Sequence, residues 1–451
     1  MERKEENGMS VHNIIDYGAS TGKENNAPFI QRAVNAACEE GGGTVSVPAG
    51  EYLCGHIELK SHVNLHLDQG AVLKCSLKKE DFLQEGADTD ELELNSGCFI
   101  GARHAEDISI TGRGVIDGQG RLILKDDGAD NGAGECPLNF SGFRTRMTLL
   151  EDVTDLTIEG VTFRDSALWT LHMAGCRRVM IRGIRILNNV RGANNDGIDP
   201  DSCQDVVISD CIIKTGDDAI VVKTTKPMTE KYGPCQNVVI KGCVLHSHDS
   251  ALKIGTETHG DIRNIILSDC VIEDCSRAVG IWVRDGGTVE NIQIHHLTGA
   301  VRRYANAGGR DFAPDWWGKG EPVFLSNTRR KGSQEFTGRI CGVSFDHIRI
   351  ASESCIFLAA DDGCPVQDIT ICDMEMTMCR QGTQAGGLFD EQPSERNVYA
   401  HSIPALYARG IHGLTVKNWR VKRLEPAMKE WDGFIVTENC TQCRFENAEE
   451  A

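Results

Sequence analysis

A repeated pattern of apolar residues limits what this chain can fold into. The pattern reads apolar-x-apolar-x-x-apolar-x-apolar, and its copies begin at Leu156, Val179, Val206, Val238, Ile265, Ile292, Val343, Ile369 and Leu414. A period of roughly 25 residues with two short strands in each copy predicts the coils of a parallel β-helix, an all-β solenoid. A leucine-rich repeat has a similar period, but its Leu-x-x-Leu-x-Leu signature with Asn is absent here.

Two further features recur with the same spacing. The residue before the first position is usually Asn or Asp, with Arg178 as the exception, at Asp155, Asp205, Asn237, Asn264, Asn291 and Asp368. Asn and Asp tolerate a left-handed backbone, so we expect a stacked polar ladder there. Cys211, Cys243 and Cys270 share one coil position, which predicts that they stack in the core as small hydrophobic residues.

The repeat also divides the chain into segments. We expect residues 1–11 to be disordered and residues 12–75 to form an N-terminal cap, with a helix over 27–40 ended by three glycines and strands at 44–47, 52–54 and 63–67. Residues 76–440 are predicted to form the β-helix, and 441–451 a C-terminal tail. Polar stretches at 76–105, 118–147 and 301–336 are predicted to project from it as loops, which on solenoids often carry binding sites.

Composition argues against some partners and compartments. The net charge of −19 argues against nucleic-acid binding, because such proteins normally present a basic face. No apolar run of about 18 residues occurs, so no membrane span and no membrane partner are expected. The 19 cysteines are odd in number and scattered, and the opening residues MERKEENGMS are polar. Together these features predict a reducing, cytoplasmic setting without a signal peptide.

Five carboxylates are crowded into one short segment, at Asp196, Asp199, Asp201, Asp217 and Asp218. Such crowding indicates either a metal site or an acid/base group, because like charges close together cannot all stay ionised. Asp196 and Asp217 are one coil apart, and coils stack about 4.8 Å apart. We therefore expect Asp196, Asp217 and Asp218 on one patch of the outer wall. The alternative is that they are turn carboxylates like Asp155 and Asp205.

The residues around this cluster carry a resemblance to a known family. Asn194-x-Asp196-Gly197-x-Asp199 and Gly216-Asp217-Asp218 resemble the signature of glycoside hydrolase family 28, the polygalacturonases and their relatives. The stretches Asp16-Tyr17-Gly18-Ala19, Gly42 to Gly50 and Trp169-Thr170-Leu171-His172 are similar to that family as well. The resemblance covers about residues 10–425 of the chain.

The resemblance implies a right-handed parallel β-helix that hydrolyses glycosidic bonds with inversion and without a metal or other cofactor. Carried over by position, Asp217 is the general acid, and Asp196 and Asp218 activate the water. Crowding agrees with these roles, because a carboxyl group between two others has a raised pKa and stays protonated nearer to neutral pH. Such a proton belongs to the group as a whole, so its assignment to Asp217 is the less secure part.

Two family motifs are altered in this chain. Where the family has Gly-His-Gly, with a histidine that supports the acid, the sequence reads His248-Asp249-Ser250. His246 or His248 can substitute for that histidine, or its role is lost. The family's Arg-Ile-Lys clamp for the galacturonate carboxylate is also missing, and the matching stretch Gly280-Ile281-Trp282-Val283-Arg284 offers only a shifted arginine and an aromatic face.

The substrate-binding residues expected on these grounds are Asn194, His172, His248, Asp249, Lys253, Trp282, Arg284, Trp316, Trp317 and Glu321. Lys253 is expected to face the groove together with Glu257 because alternate residues of a strand share a face. Trp316 and Trp317 are adjacent on a polar loop, which indicates a lid over a sugar site. His172 and Trp282 have an equally simple explanation as packed side chains.

The function expected from the sequence is hydrolysis of a pectin-type oligosaccharide that contains galacturonate or rhamnogalacturonan units, with exo action. The oligosaccharide is the only partner expected. One alternative is a β-helix polysaccharide lyase, in which Asp199, Asp201 and Asp205 supply oxygen ligands to Ca²⁺. The other is a non-catalytic carbohydrate-binding solenoid, which the altered histidine and clamp motifs favour.

Overall fold

The computed structural model describes residues 10–82, 97–125, 135–304, 318–333 and 338–450, and these fold into a right-handed parallel β-helix. The fold predicted from the repeat is confirmed. Helix α1 (Ala27–Glu39) covers the N-terminal end of the solenoid and packs against the first strands. It ends at Glu40, and Gly41 and Gly42 follow with positive φ angles of 90° and 125°. The predicted capping helix is therefore also confirmed.

Within the described residues, 33 strands and two α-helices follow one another. Strands β1–β6 are Ser10–Asn13, Gly43–Val47, Gly50–Cys54, Ile57–Leu59, Val63–Leu67 and Ala71–Cys75. Strands β7–β13 are Cys98–Gly112, Val115–Asp117, Arg146–Glu159, Thr162–Arg164, Leu171–Ala174, Arg177–Arg182 and Arg185–Leu187. Strands β14–β20 are Ile198–Asp201, Gln204–Ser209, Ile212–Thr215, Ile220–Thr224, Cys235–Lys241, Val244–Ser247 and Ser250–Thr258.

The remaining strands complete the solenoid. Strands β21–β27 are Ile262–Cys275, Arg277–Val283, Thr288–Val301, Glu321–Asn327, Arg339–Ser352, Ile356–Ala360 and Val366–Met378. Strands β28–β33 are Leu388–Asp390, Val398–Ala400, Leu406–Arg409, Ile411–Arg423, Ile435–Glu438 and Arg444–Glu450. Helix α2 is Lys226–Tyr232, and short 3₁₀ turns span Ile14–Tyr17, Lys79–Asp81 and Gly120–Leu122.

Parallel pairing arranges these strands into three faces. The repeat face runs β1-β2-β5-β7-β9-β12-β15-β18-β21-β23-β25-β27-β31-β33. A second face runs β3-β6-β8-β10-β13-β16-β19 and then joins β21. The third, called the site face below, runs β4-β7-β9-β11-β14-β17-β20-β22-β24-β26-β30-β32. The long strands β7 and β9 contribute to two faces because the chain bends within them.

The register confirms the repeat at each copy. Leu156, Val179, Val206, Val238, Ile265, Ile292, Val343, Ile369 and Leu414 are successive partners across neighbouring coils. All are buried in one continuous core. The predicted polar ladder is present as well, because Asn237, Asn264 and Asn291 have left-handed φ angles and each amide donates to the residue one coil earlier at 2.7–2.9 Å.

The cysteine column is confirmed too. Cys211, Cys243 and Cys270 are each 1% exposed and occupy equivalent places in successive coils. All 19 cysteines are free thiols. Among the described residues, no helix is both long and apolar enough to cross a membrane. The predicted compartment stays a prediction.

Several predicted boundaries differ from the structure. The sheet runs without a break across residue 75, strand β33 lies within the predicted tail 441–451, and β1 begins inside the predicted disordered segment. Strand β7 occupies the end of the predicted loop 76–105, and β24 lies within the predicted loop 301–336. These polar-looking segments form coils because their apolar residues, such as Phe99 and Phe324, are fully buried. Helix α2 lies in the connection between β17 and β18, and the repeat pattern did not predict it.

Candidate active site

A cleft of about 610 Å³ lies on the site face, where strands β14, β17, β20 and β22 begin. Strand register places residues from successive coils in line: Asp218 follows Asp196, and Ser250, Arg277 and Glu321 continue the line. The turns just before β17 and β20 add Asp217 and Asp249. Both of these carboxylates line the cleft, as do Asp196 and Asp218.

The three predicted catalytic aspartates are brought together. One oxygen from each of Asp196, Asp217 and Asp218 lies within 4.8 Å of the others. Their side chains are 1–4% exposed. They are therefore not ordinary turn carboxylates, which are solvent-exposed on this solenoid.

Buried amides hold the two aspartate turns in place. The Asn195 Oδ1 atom accepts hydrogen bonds from the backbone N–H groups of Gly216 (2.9 Å) and Asp217 (3.2 Å), and its Nδ2 donates to Asn189. The Asn194 N–H donates to an oxygen of Asp217 at 3.0 Å. Glycine is needed at position 197, because a Cβ there would lie 2.3 Å from the carbonyl oxygen of Ala219. The glycine and asparagine of the motif thus bring the two turns into contact.

Ion pairs distinguish the carboxylates from one another. The Lys253 ammonium lies 2.8 Å from Asp218, the Lys223 ammonium 3.8 Å from Asp196, and the Arg277 guanidinium 2.9 Å from Asp249. Within the described part of the chain, Asp217 has no Lys or Arg nitrogen within 4.0 Å. Asp217 instead accepts hydrogen bonds from the backbone N–H groups of Asn194 and Asp218, so the proton of the trio belongs to the group as a whole.

The pKa shifts do not single out one proton donor, because burial and the charge of Asp217 also raise the pKa of Asp196 well above its usual value. Burial and then the negative charge of Asp249 raise the pKa of Asp217. Burial also raises the pKa of Asp218, but the Lys253 ammonium opposes that rise through a direct hydrogen bond. Burial lowers the pKa of Lys253, yet the charges of Asp218 and Asp249 raise it by more, so the lysine stays charged. The cluster as a whole therefore holds at least one proton near neutral pH.

A lysine and a tryptophan form the wall beside Asp196. Lys223 is 3% exposed, lies 2.9 Å from Asp199 and has its ammonium 3.8 Å from the centre of the Trp169 ring. Asp199 itself is fully buried. Asp201 accepts hydrogen bonds from the backbone N–H and hydroxyl of Thr225, so it holds the chain where β17 ends.

The opposite wall carries a buried row of charges. Asp249 occupies the position where the family has its histidine, and it accepts a hydrogen bond from Arg277 Nη1. The Nε atom of Arg277 lies 3.3 Å from Glu321 on the next coil. The guanidinium lies over the rings of Trp282 (4.8 Å) and Phe324 (5.0 Å), and all of these side chains are at most 4% exposed.

A hairpin contributes part of the cleft lining. Strands β28 and β29 pair in an antiparallel manner, and Phe389 contacts Phe357 and Tyr407 on the site face. The connection between the two strands contributes Gln392, Pro393, Ser394 and Asn397 to the lining. Arg330 forms an antiparallel bridge with Ser394, which ties the hairpin to the loop after β24.

Some predicted binding residues line the cleft. Asn194, Asp249, Lys253 and Trp282 do so together with Glu257. The side chain of Lys253 lies 5.1 Å from the Trp282 ring centre and bonds to Asp218, so it is part of the acid cluster's support. The roles of these residues toward a substrate stay predictions.

Other predicted binding residues are placed elsewhere, and the structure corrects those predictions. His172 is fully buried, with its Nε2 3.5 Å from Asp201 and its ring against Trp169. Arg284 is fully buried and donates to Ser326 and to the Glu391 carbonyl. Glu321 is 1% exposed behind Arg277. None of the three lines the cleft.

The two histidine candidates also lie outside the cleft lining. His248 stacks on Tyr304 at 3.7 Å and is 7% exposed, and His246 packs 5.5 Å from His248. Burial and neighbouring positive charges lower the pKa of His248 to about 2, so it is neutral. Asp249, and not a histidine, therefore stands beside Asp217. Trp316 and Trp317 lie outside the described residues.

Sequence reasoning missed Arg277, Lys223, Asn195 and the hairpin. Arg277 and Lys223 are detectable in principle, because a basic residue inside an otherwise apolar strand requires a buried acidic partner. Asn195 lies within the recognised motif, but it occupies one of the motif's variable positions and was therefore not assigned a role. No local pattern places the hairpin, because its position depends on aromatic residues of two other coils, Phe357 and Tyr407.

The carboxylate trio has the donor atoms of a cation site, and Asp196, Asp217 and Asp218 are close enough to share one ion. However, two ammonium groups already compensate part of the negative charge of the trio: Lys223 lies beside Asp196 and Lys253 beside Asp218. An acid/base group with lysine counter-charges accounts for the arrangement without a metal ion.

Comparison with known proteins agrees with the motif resemblance. The family model for glycosyl hydrolases family 28 matches residues 38–302. A probable polygalacturonase of Vitis vinifera is 34% identical over 229 residues, which are 47% of this chain and 44% of that protein. An exopolygalacturonase of Platanus acerifolia is 23% identical over 219 residues, or 47% of this chain and 52% of its own. The chain thus spans about half the length of these curated relatives.

Solved structures show the same fold. A family 28 exopolygalacturonase of Yersinia enterocolitica superposes with a TM-score of 0.72 at 15% identity, over 97% of this chain and 78% of the other. A hyperthermoactive exopolygalacturonase of Thermotoga maritima gives a TM-score of 0.61 at 20% identity, over 99% and 93%. Because the family model matches more than half of this chain, the chain belongs to glycosyl hydrolases family 28.

Proposed function

We propose that this chain hydrolyses glycosidic bonds in pectin-type oligosaccharides that contain galacturonate or rhamnogalacturonan units. The observation that carries the proposal is the buried trio Asp196, Asp217 and Asp218 at the floor of the cleft. Relatives named polygalacturonases and exopolygalacturonases support the substrate class. We also propose a reducing compartment, which the free thiols support.

The proposed reaction divides the work among the three carboxyl groups. Asp217, which has no cation partner among the described residues, donates its proton to the oxygen of the departing sugar. Asp196 and Asp218, which lie beside Lys223 and Lys253, accept hydrogen bonds from one water and take its proton as it attacks the anomeric carbon. The glycosidic C–O bond breaks while the water oxygen forms a new C–O bond to the anomeric carbon. The leaving oxygen gains the proton of the acid, and the base gains a proton from the water.

Inversion of the anomeric centre is part of the proposal. Inverting enzymes typically separate their carboxyl groups by about 6.5–9.5 Å, whereas single oxygens of this trio lie within 4.8 Å. Two oxygens at that distance can still be bridged by one water through hydrogen bonds of about 2.8 Å. We base inversion on the family motif and on a single water that bridges two oxygens of the trio.

The hairpin from Leu388 to Ala400 and the loop at Arg330 support exo action. They meet in an antiparallel bridge, and both line the cleft, where they stand in the way of a longer chain. We therefore propose that the enzyme removes units from one end of an oligosaccharide. Time courses that release only small products from the start are expected, and a ladder of intermediate sizes would contradict exo action.

The proposal is tested by incubating the protein with defined oligogalacturonides and rhamnogalacturonan oligosaccharides. We expect new reducing ends, no ultraviolet absorbance from a new C=C bond, and the same rate with and without EDTA. Absorbance from a C=C bond together with EDTA sensitivity would identify a lyase. Tight binding without any new reducing end would identify a carbohydrate-binding solenoid.

A pH profile tests the role of Asp249 beside the acid. Its charge raises the pKa of Asp217, so Asp249→Asn should lower that pKa. Because the acid must be protonated to act, the basic limb of kcat/KM is expected to move to lower pH. Asp210→Asn, an exposed change of the same charge on another face, should leave the limb in place. If the basic limb of the pH profile does not move in Asp249→Asn, the charge of Asp249 does not act on the catalytic acid.

A further inference from the structure

We infer that this chain binds one divalent transition-metal ion of the zinc class at a surface site formed by Asp346, His347 and Asp373. These residues belong to strands β25 and β27, on two neighbouring coils, and none of them lines the cleft. They also lie outside the residues that the family model matches. The inference therefore does not depend on the proposed hydrolysis.

Three donor groups converge at this place. One ligand atom from each of Asp346, His347 and Asp373 lies within 4.8 Å of the other two. The Asp346 Oδ1 and His347 Nδ1 atoms are 2.9 Å apart. Two ligands of one tetrahedral zinc ion, each about 2.0–2.1 Å from the metal, lie about 3.3 Å from each other. A small shift of exposed side chains is therefore enough for these two groups to share an ion.

Strand register brings the third ligand to the other two. Asp346 pairs with Cys372 across β25 and β27, so the residues that follow them, His347 and Asp373, are stacked one coil apart. Both have left-handed φ angles, of 51° and 49°, and both side chains are exposed. Coils stack about 4.8 Å apart, and two ligands on opposite sides of a zinc ion lie about 4 Å apart. One ion can therefore connect the two coils.

Neighbouring side chains orient two of the ligands. The Asn418 amide donates a hydrogen bond to Asp373 Oδ1 at 2.9 Å, which fixes the carboxylate and leaves Oδ2 to face an ion. The His347 ring is stacked on the ring of His296, with ring centres 4.9 Å apart and planes 11° from parallel. Outer contacts of this kind orient the ligands of metal sites and strengthen binding.

The donor types select the class of ion. Ca²⁺ and Mg²⁺ take oxygen ligands, whereas imidazole nitrogen suits Zn²⁺ and its transition-metal neighbours. The preceding coil adds more imidazole, because His295 is the register partner of Asp346, and its Nδ1 lies 2.9 Å from the Nδ1 of His296. A mixture of imidazoles and carboxylates on exposed coils therefore favours Zn²⁺ over Mg²⁺.

A second histidine–aspartate pair shows what distinguishes this site. His104 on β7 has a left-handed φ angle of 50°, and its Nδ1 lies 2.9 Å from Asp152 Oδ2, as in the pair at His347. Among the described residues, His104 and Asp152 belong to no group of three converging donors. The third ligand, Asp373, thus separates the site at His347 from an ordinary surface ion pair.

Calorimetric titration of the untagged protein with Zn²⁺ tests the site, with Mg²⁺ titrated in parallel. We expect one Zn²⁺ per chain and no saturable binding of Mg²⁺. His347→Asn and Asp373→Asn should each lower the affinity for Zn²⁺ by at least about tenfold. Asparagine tolerates the left-handed backbone at both positions, so the coils should remain folded.

Two controls establish where the ion binds. His104→Asn makes the same change in the two-residue pair and should keep the wild-type affinity for Zn²⁺. Asp217→Asn removes a donor from the carboxylate trio of the cleft and should keep it as well. The inference is overturned if Zn²⁺ does not bind, if Mg²⁺ binds equally well, if either His347→Asn or Asp373→Asn keeps the wild-type affinity, or if either control loses it.

Discussion

Replacing Asp217 by asparagine is expected to lower kcat on pectic oligosaccharides by about 10²–10⁴-fold. The variant removes the proton donor and keeps its shape, because an asparagine side chain is nearly isosteric with a protonated aspartic acid. The two oxygens of Asp217 accept the backbone N–H groups of Asn194 and Asp218, and asparagine keeps only one such oxygen, so we expect the free energy of unfolding to fall by about 1–3 kcal/mol. Initial rates and a denaturant titration on the same preparation measure the two effects.

Asp205→Asn is the matched control for that variant. Asp205 is an exposed ladder residue that accepts a hydrogen bond from Asn237, and its replacement makes the same change of charge and shape. We expect wild-type kcat from it. Retained activity in Asp217→Asn would contradict the assignment of the acid, and loss of activity in Asp205→Asn would show that asparagine substitutions act through the fold.

Replacing Arg277 by methionine is expected to have the largest effect on stability, about 3–5 kcal/mol at neutral pH. The methionine leaves Asp249 and Glu321 buried without their shared cation, next to the aspartate trio. Because an uncompensated buried charge costs far more than an exposed one, the same change at Arg178 should have a much smaller effect. Arg178 pairs with Asp155 at the exposed ladder. Urea unfolding of both variants measures the difference.

The repeat made most of the fold predictable from sequence. Each coil buries the same positions, so the positions of Leu156, Val206 and Ile265 in the pattern were sufficient to give the register. The excursions were not predictable in this way. Strand β24 looked like a loop because its flanking residues are polar, and the pattern carries no information about where a long connection rejoins the solenoid.

The site was predictable where the motif is local and not where it depends on several coils. Asp196, Asp217 and Asp218 come together because two adjacent turns stack. His172 and Arg284 were misplaced because side chains on both faces of β11 and β22 are buried. Alternation along a strand therefore could not show which outward side chains reach the cleft. The hairpin and the Asp249–Arg277–Glu321 row depend on three or more coils, and only the structure brings them together.

Real-time ¹H NMR of the first product formed from a pectic oligosaccharide tests the central claim most directly. If Asp217 protonates the leaving oxygen while Asp196 and Asp218 direct water to the opposite side of the sugar, the anomer opposite to that of the cleaved bond accumulates first. It then equilibrates slowly. Initial accumulation of the retained anomer, or of an unsaturated product, would contradict the proposed roles of the three aspartates.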